Sequence, residues 1–523
     1  MSDSIQKFAQ ATAQIKLSAS NLESKDTFSK SDPFIAVFMR NRANVDSKFT
    51  EIGRTEKLKN NANPDFATLI SFAYNLQDMQ ELRFDIFDSD SDSSDLSKHD
   101  LVHSETITVA DFLKRGQGVA TFTWTRKGGK KQSSMTARYE RGTNNNDSIK
   151  MTVSCKDLPK MDVFGKIDPF FVIKRLAEDG KTWLECFKSP VIKSNYTPVW
   201  EIDQSVRTLC NGGVKAPVRI ELYDWDSDGK NEFVGEAEVT FADLVKYRDT
   251  VDIPLVDKTN PKKPKNHGTI SFTNVVMTRI KGFMDLVKEG LEINVNMAVD
   301  FTGSNGDPQS SDSLHYVHTT ENQYQESIRR IGEAVIEYDT DRDIPLYGFG
   351  GQPRGARDVL HCFKLETVGS RSGVEKALDA YSNAIKRVEL SGPTLFQEVI
   401  ENTMALARSD LRKKRYHVLT IMTDGVINDM QKVKDLIVEA SSLPMSIIII
   451  GVGNADFSNM NELDADNGPL TDTRGFKAQR DIVQFVALNE VRRKGAATLG
   501  QMTLAELPSQ IEQYYRKFEQ DTF

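Results

Sequence analysis

The sequence predicts a multidomain protein in which two antiparallel β-sandwich domains are followed by a doubly wound α/β domain. A chain of 523 residues is long enough for about three domains. One aspartate-containing phrase occurs twice, as DTFSKSDPF and DVFGKIDPF. Further along, short alternating segments give way to apolar strands separated by long helical stretches. We therefore predict domains at 1–141, 142–278 and 279–523.

The repeated phrase belongs to a duplicated domain. Four aspartates of the first copy recur 136 residues later in the second copy. The pairs are Asp26 with Asp162, Asp32 with Asp168, Asp88 with Asp224, and Asp90 with Asp226. Each copy also contains alternating segments, such as IKLSAS and IKMTVS, that are typical of antiparallel sandwich strands. A single Asp-Pro pair indicates only a turn, but the repeated set indicates a function.

The chemistry of this set indicates calcium. In each copy, two carboxylates six residues apart are joined by an Asp-x-Asp pair from a second loop. This arrangement gathers several oxygen donors, and Ca²⁺ takes about 6–8 oxygen ligands. Without a cation the crowded negative charges would repel one another. We predict that each sandwich binds Ca²⁺ through its four aspartates.

The motifs FSKSDPF, FGKIDPF and YDWDSDG resemble the calcium-binding loops of C2 domains, and their tandem order resembles the copine family. The resemblance implies a fifth acidic ligand after each Asp-x-Asp pair. In the second domain this ligand is Glu232, which is longer than the usual aspartate. In the first domain the loop is longer, so that Asp100 is the best match, with Asp92 and Asp95 as competitors.

The resemblance also implies how the domains would meet a membrane. Apolar residues cap the calcium loops of C2 domains that enter bilayers, and the matching residues here are Phe28, Val163 and Phe164. Because few apolar residues are present, we expect shallow insertion, with anchoring dominated by calcium bridging and by basic residues that contribute about 1 kcal/mol each near an anionic surface. The basic candidates, in two late hairpins, are Arg126, Lys127, Lys130, Lys131, Lys258, Lys262, Lys263 and Lys265. The alternative is that these hairpins are solvated turns.

The third domain is predicted from apolar strands, such as LEINVNMAVDF and RYHVLTIMTDG, that alternate with helical stretches. Ligands of such sheets collect at the carboxyl ends of the strands. Two carboxylates and three hydroxyls are candidates there: Asp300, Thr302, Ser304, Thr394 and Asp424. Mg²⁺ or Mn²⁺ suits them, because Mg²⁺ needs an octahedral oxygen shell and keeps positions for water or an incoming carboxylate.

The same residues resemble the metal-ion-dependent adhesion site of von Willebrand factor A-type domains, with Thr302 in place of the first serine. The segments DFTGSNGDP and SLHY are similar to copines, so the resemblance covers nearly the whole chain. It implies that the metal completes its shell with an acidic residue of a target protein. The alternative is that these hydroxyls only cap helices and turns.

Two pairs of histidines are also spaced like metal ligands. His99 and His103 lie in a segment that reads as a loop, and we expect them to be solvated. His315 and His318 lack a third ligand at a usable spacing, so zinc is not predicted.

Composition limits the cellular role. A net charge of -8 disfavours nucleic acid as a partner, and four dispersed cysteines fit a reducing cytosol. The apolar run SIIIIGVG is too short to span a bilayer. The N-terminal sequence has no signal-like apolar region, position 2 is serine rather than the glycine of myristoylation, and EQDTF is no prenylation box. Any membrane contact is therefore expected to be reversible.

These inferences predict a non-enzymatic, calcium-dependent phospholipid-binding adaptor. When calcium rises it would move from the cytosol to anionic plasma or intracellular membranes, and its third domain would recruit target proteins. One alternative is a calcium-independent scaffold, because Glu232 and the long first-domain loop could weaken the calcium sites. Another is a Mg²⁺-dependent phosphoryl-transfer enzyme with Asp300 as nucleophile. Thr302 argues against the enzyme, because it replaces the second aspartate of the phosphatase signature.

Overall fold

The computed structural model describes residues 11–518 except 24–30, 45, 127–130, 142–146, 162–165, 178–180, 211–212, 227–230, 248, 258–264, 279–280, 318–319, 368–370, 426, 465–467 and 495–498. Several predicted residues lie outside the described part: Asp26, Phe28, Lys127, Lys130, Asp162, Val163, Phe164, Lys258, Lys262, Lys263 and His318. The chain divides into two compact units, Arg141–Gly282 and the combination of Met1–Glu140 with Phe283–Phe523.

The first sandwich has two four-stranded sheets, ordered β4-β1-β8-β7 and β3-β2-β5-β6. Its elements are β1 (Ala11–Ser20), β2 (Pro33–Asn41), β3 (Thr50–Arg54), β4 (Ile70–Tyr74), β5 (Gln80–Asp88), β6 (Asp100–Thr108), α1 (Val109–Lys114), β7 (Val119–Thr125) and β8 (Gln132–Arg141). In β1, Ala13, Ile15 and Leu17 are buried between more exposed neighbours. This alternation arises because successive side chains of a strand point to opposite faces.

The second sandwich repeats this order of strands. Its elements are β9 (Ser148–Lys156), β10 (Pro169–Leu176), β11 (Trp183–Lys188), β12 (Val199–Ser205), α2 (Val206–Cys210), β13 (Pro217–Asp224), β14 (Glu232–Thr240), α3 (Phe241–Lys246), β15 (Val251–Asp257) and β16 (Lys265–Thr278). The strands form one continuous sheet, β11-β10-β13-β14-β15-β16-β9-β12. The pair Glu236–Val256 joins β14 to β15. On either side of this junction, the order of four strands matches one sheet of the first sandwich.

The α/β domain follows. Its helices are α4 (Phe283–Lys288), α5 (Gln323–Val335), α6 (Gly373–Ala384), α7 (Gln397–Ser409), α8 (Met430–Ala440), α9 (Leu488–Lys494), α10 (Leu499–Thr503) and α11 (Leu507–Phe518). Its strands are β17 (Glu292–Asp300), β18 (Leu346–Phe349), β19 (Gly351–Pro353), β20 (Phe363–Lys364), β21 (Val388–Leu390), β22 (Arg415–Thr423), β23 (Met445–Gly451) and β24 (Val483–Ala487). The main sheet, β20-β18-β17-β22-β23-β24, is parallel except for β20.

Helices cover both faces of this sheet, as expected for strands that are apolar on both sides. One buried cluster contains side chains of α7 and α8, including Ile400 and Leu436. The other contains side chains of α5 and α11, including Ile328 and Ile511. The predicted doubly wound α/β class is therefore confirmed.

The α/β domain and the first sandwich also share buried contacts. The hydroxyls of Tyr74 and Tyr338 are hydrogen bonded, and the ring of Phe283 lies 5.9 Å from that of Tyr74 and 5.7 Å from that of Tyr338. Arg42 forms an ion pair of 2.8 Å with Glu337. These contacts make the two domains part of one compact unit.

The expectation that His99 is solvated is wrong, and so is the loop predicted for His103, whose side chain is half-buried. His99 is buried, and its ring packs edge-on against Phe34, with centroids 5.1 Å apart. His103 lies on β6 and stacks on Trp124 at 4.0 Å. Both histidines complete the packing of the sandwich because they face aromatic rings that the local sequence does not reveal.

Among the described residues, no helix is long and apolar enough to cross a membrane.

Candidate functional site

The predicted metal ligands of the α/β domain lie where the order of its strands reverses. The strand β17 pairs with β18 on one side and with β22 on the other. Asp300 is the last residue of β17, and Asp424 directly follows β22. Because parallel strands end at a common edge, the two carboxylates meet at a topological switch point, where ligands of such sheets bind.

A hydrogen-bond network joins four of the five predicted residues. The backbone N–H and the hydroxyl of Thr302 both donate to Asp300 Oδ1, at 2.9 and 2.6 Å. The hydroxyls of Thr302 and Ser304 lie 3.0 Å apart. Ser304 Oγ in turn donates to Asp424 Oδ1 at 3.0 Å. The other oxygen of Asp300 accepts the hydroxyl of Thr423 at 2.6 Å, a residue that the sequence analysis missed.

Thr394, the fifth predicted residue, lies on a loop that is tied to the same site. Backbone bonds link Ser391 to Phe301 and to Gly303 on the neighbouring loop, at 3.1 and 2.7 Å. Thr394 itself is buried, and its backbone is paired with Asn428. The structure thus holds Thr394 near the network, although no hydrogen bond joins its hydroxyl to the other four residues in the described structure.

Gly350 allows the loops to approach closely. Its φ of +70° is left-handed, and a Cβ at this position would collide with the methyl group of Thr302. A glycine is therefore required for both reasons.

The electrostatics of the site fit a divalent cation. Burial and the charge of Asp424 raise the pKa of Asp300, and burial raises the pKa of Asp424. The groups that oppose these shifts are hydroxyls, backbone N–H groups and, for Asp424, the side chain of Asp300; no cationic side chain is among the main influences. Two buried carboxylates without a cationic partner are unfavourable when both are ionised. The oxygen donors present are those that Mg²⁺ or Mn²⁺ prefers.

In the first sandwich, the predicted calcium ligands lie on neighbouring strand ends. Asp32 precedes β2, and its N–H donates to Asp88 Oδ1 at 2.7 Å. Asp32 Oδ1 accepts the N–H of Asn60 at 2.7 Å. Asp100, the first residue of β6, pairs with Asp88 across the sheet and donates its N–H to Asp90 Oδ2 at 3.0 Å.

The second sandwich repeats this wiring. The N–H of Asp168 donates to Asp224 Oδ1 at 2.7 Å. Asp168 Oδ1 accepts the N–H of Ser194 at 2.6 Å. Ser194 has a φ of 51°, and its counterpart Asn60 has a φ of 53°. Glu232, the first residue of β14, pairs with Asp224 as Asp100 pairs with Asp88. The duplication therefore extends from the sequence to individual hydrogen bonds.

The competitors for the fifth position in the first sandwich differ in their contacts. Asp95 caps a short 3-10 turn, Leu96–Lys98, by accepting the N–H and the hydroxyl of Ser97. These bonds lower its pKa. Asp92 is exposed on the same loop. The position of Asp100 opposite Asp88 favours Asp100 over both.

One contact distinguishes the second sandwich. Lys193 Nζ lies 2.8 Å from Asp168 Oδ2 and is placed over the ring of Trp225, 3.2 Å from its centroid. Burial disfavours ionisation of Asp168, but the bonds from Lys193 and Ser194 outweigh it and lower the pKa of Asp168. An ammonium group is therefore paired with one carboxylate oxygen of Asp168, a predicted calcium ligand.

Comparison with known proteins identifies the family. The chain is 34% identical over 516 residues to Copine-A of Dictyostelium discoideum, covering 97% of this chain and 84% of that protein. The chain belongs to the copine family. The family model "Copine" matches residues 313–522, and the C2 domain model matches residues 14–123 and 150–253. Membership of the copine family, together with two C2 domains, supports a role for this chain as a calcium-dependent membrane-binding adaptor.

Several solved structures resemble parts of this copine. BON1-C2B is 26% identical and covers 26% of this chain and 95% of its own, with a TM-score of 0.24. The calcium-bound pair of C2 domains of Extended-Synaptotagmin 2 is 17% identical and covers 52% of this chain and 99% of its own, with a TM-score of 0.22. The manganese-loaded TRAP protein of Plasmodium vivax is 17% identical and covers 39% of this chain and 71% of its own, with a TM-score of 0.26.

The described part of this copine includes three of the basic residues predicted to face a membrane. Lys131 and Lys265 are exposed. Arg126 instead bonds the backbone carbonyl of Asn21 and the hydroxyl of Ser133, at 3.0 Å for the latter. Its guanidinium fixes the base of the hairpin, so only the two lysines remain as candidates among these three.

Another acidic cluster of this copine lies away from the predicted metal site. Carboxylate oxygens of Asp464, Asp481 and Glu506 lie within 4.8 Å of one another. Asp464 accepts the N–H of Phe485, and Asp481 accepts the N–H of Val483. These bonds fix the backbone of β24, which gives Asp464 and Asp481 a structural role.

Proposed function

We propose that this copine moves from the cytosol to anionic membranes when calcium rises, and that it recruits target proteins through its α/β domain. Calcium would bind the loops of both sandwiches through Asp26, Asp32, Asp88, Asp90 and Asp100 in the first, and Asp162, Asp168, Asp224, Asp226 and Glu232 in the second. Lipid oxygens would complete the calcium shell. Binding of lipid and calcium would then reinforce each other, because each raises the affinity for the other.

The observation that supports this proposal is the pattern of hydrogen bonds that both sets of predicted calcium loops share. In both sandwiches a buried aspartate, Asp88 or Asp224, accepts the N–H of the aspartate on the neighbouring loop. A strand then begins with an acidic residue opposite that buried carboxylate. Several carboxylates are thereby held together at the ends of the strands, where calcium would neutralise them.

The α/β domain would hold Mg²⁺ or Mn²⁺ through Asp300, Thr302, Ser304, Thr394 and Asp424, with Thr423 supporting Asp300. The metal would supply an open coordination position for an acidic residue of a partner. The chain's own residues would orient the site, because the hydroxyl network fixes the direction of both carboxylates.

Sedimentation with phosphatidylserine vesicles over a series of calcium concentrations tests the membrane role. Asp90→Asn and Asp226→Asn each remove one charge from one sandwich. Each variant is expected to need several-fold more calcium for half-maximal sedimentation, and the double variant is expected to stay in the supernatant. Asp95→Asn is the matched control, because Asp95 lies on the same loop but caps a turn. Sedimentation of wild type that is equal with calcium and with EGTA would instead support the calcium-independent scaffold.

Partner capture tests the α/β domain separately. Asp300→Ala is expected to abolish Mg²⁺-dependent retention of target proteins on the immobilised full chain while leaving calcium-dependent sedimentation unchanged. The proposed division of roles is wrong if Asp300→Ala removes vesicle binding instead.

A further inference from the structure

His315 lies next to the predicted metal site of the α/β domain. Its imidazole is fully buried between the rings of Phe301 and Tyr324, with centroid distances of 5.2 and 4.6 Å and an interplanar angle of 17° to each. Nε2 lies 2.9 Å from the backbone carbonyl oxygen of Asp300. Nδ1 lies 2.9 Å from the hydroxyl of Tyr381. The ring is therefore held by stacking on both faces and by hydrogen bonds at both nitrogens.

The partners assign a role to each ring nitrogen. A carbonyl oxygen only accepts hydrogen bonds, so Nε2 carries a hydrogen and donates this N–H to the backbone carbonyl oxygen of Asp300. The hydroxyl of Tyr381 accepts a hydrogen bond from the side-chain amide of Asn322 at 3.0 Å, and its O–H donates a hydrogen bond to the unprotonated Nδ1 of His315. Asn322 is also the N-cap of α5. A continuous chain of bonds thus runs from the start of α5 to the backbone of Asp300.

The carbonyl of Asp300 is placed where the chain leaves the sheet. Pairing of β17 with β22 ends at Val299, and the next N–H beyond Asp300, that of Phe301, donates to Phe349 at 2.8 Å. The orientation of this peptide sets the direction of the loop that carries Thr302 and Ser304.

The segment around His315 also holds the other end of that loop. The hydroxyl of Ser313 donates to the carbonyl oxygens of Asn305 and Gly306, each at 3.0 Å. Tyr324, which stacks on His315, donates its hydroxyl to Asn305 Oδ1 at 2.6 Å. Both ends of the loop from Asp300 to Gly306 are therefore fixed by the aromatic residues around His315 together with Ser313.

We propose that His315 is a positioning residue of the metal site, which holds the Asp300 peptide at the angle that brings the Asp300 carboxylate and the hydroxyls of Thr302 and Ser304 together. This inference rests on the proposed metal-binding function of the α/β domain. Groups that orient metal ligands without touching the metal typically change metal affinity by about 10–100-fold when they are replaced.

The test is direct measurement of Mn²⁺ affinity by electron paramagnetic resonance. The full chain carries Asp90→Asn and Asp226→Asn in every sample, so that the calcium loops contribute less Mn²⁺ binding. His315→Phe keeps a stacked ring and removes both hydrogen bonds, and it is expected to weaken Mn²⁺ binding by about tenfold or more. His315→Gln keeps an N–H donor and is expected to recover part of that loss.

His417→Phe is the matched control. His417 is a buried histidine of the same domain, near the start of β22 and 3.3 Å from Asp410, whereas Asp424 follows the end of that strand. This variant is expected to lower the melting temperature in EDTA and leave Mn²⁺ affinity unchanged.

Each outcome decides between the inference and the function on which it rests. Mn²⁺ affinity of His315→Phe equal to that of the Asp90→Asn and Asp226→Asn background protein would overturn the positioning role. If that background protein binds no more Mn²⁺ than the same protein with Asp300→Asn added, the proposed metal site itself is wrong. Should His315→Phe fail to fold, Tyr381→Phe takes its place, because it removes only the hydroxyl that holds Nδ1. That variant is expected to weaken Mn²⁺ binding by about threefold or more, and unchanged affinity there also overturns the role.

Discussion

Lys193 marks the clearest difference between the predicted calcium sites of the two sandwiches. Calcium binding to Asp168 must displace its ammonium group, which forms an ion pair of 2.8 Å. Because an exposed ion pair contributes roughly 0.2–1 kcal/mol, Lys193→Gln is expected to strengthen lipid-free calcium binding by the second sandwich by about two- to fivefold. Titration calorimetry of the full chain measures this calcium affinity. The chain also carries Asp90→Asn, which is expected to weaken calcium binding by the first sandwich.

Lys59 provides the control for this prediction. It directly precedes Asn60 as Lys193 precedes Ser194, and it is exposed. Within the described part of the chain, no ion pair joins Lys59 to Asp32. Lys59→Gln in an Asp226→Asn background should therefore leave the calcium affinity of the first sandwich unchanged. Weaker calcium binding after Lys193→Gln would contradict the idea of competition.

Asp300 makes the metal-free stability depend on pH. Burial and the charge of Asp424 raise its pKa, so the folded state binds a proton more tightly than the unfolded chain. This stabilisation is complete below the unfolded pKa, near pH 4, and is lost as the pH rises towards neutrality. Between pH 5 and 7 in EDTA, we expect Asp300→Asn to gain about 1–3 kcal/mol of unfolding free energy relative to wild type.

Thermal unfolding at the two pH values, with and without Mg²⁺, checks this prediction. Mg²⁺ should stabilise wild type at pH 7 and should have little effect on Asp300→Asn. The reasoning fails if the difference between variant and wild type is the same at both pH values.

Residues of the candidate site could be predicted where their chemistry is local. Asp300, Thr302 and Ser304 follow one another at alternate positions after an apolar strand, so their pattern is visible in the sequence. Thr423 was missed, although its place at the end of β22, directly before Asp424, is a usable signal. The role of His315 depends on rings and a carbonyl that become neighbours only after folding.

Elements with long apolar patterns could also be predicted from the sequence. The strands β17, β22 and β23 lie within the apolar segments LEINVNMAVDF, RYHVLTIMTDG and MSIIIIGVG. Short strands could not be predicted in this way. The pair β19 and β21 has three residues each, and Gly351 pairs with Leu390, so that contacts distant in sequence define both strands.

The connector between the second sandwich and the α/β domain shows the same limit of prediction from the sequence. Its sequence, MTRIKGFMDLVKEG, is amphipathic, and the structure forms α4 within it. Four residues of α4 are buried, namely Phe283, Met284, Leu286 and Val287. The pattern reveals that one face is buried, but it does not reveal the surface that buries it. Part of that surface comes from the first sandwich, because the ring of Phe283 stacks on that of Tyr74.

For the whole molecule, the order of domains could be predicted and the packing of the first sandwich on the α/β domain could not. Tyr74, Glu337 and Tyr338 belong to ordinary amphipathic segments, and nothing in their spacing links them. In the structure, Lys114 Nζ also donates to the carbonyl oxygen of Glu337 at 2.7 Å. Burial raises the pKa of the Glu337 side chain, while its ion pair with Arg42 opposes this shift. Charged, polar and aromatic contacts thus join two domains that lie far apart in the sequence.

This contact predicts that the first sandwich and the α/β domain unfold together. Tyr338→Phe should destabilise both domains by about 1–3 kcal/mol, because the buried hydroxyl of Tyr74 loses its hydrogen-bond partner. Adding Tyr74→Phe should restore much of the loss, because both polar groups are then removed. Urea unfolding, monitored by hydrogen exchange, measures the unfolding free energy of each domain. Tyr223→Phe, in the unit Arg141–Gly282, serves as the control and should affect that unit alone. Independent unfolding, with Tyr338→Phe destabilising the α/β domain and leaving exchange in the first sandwich unchanged, would show that the contact does not couple them.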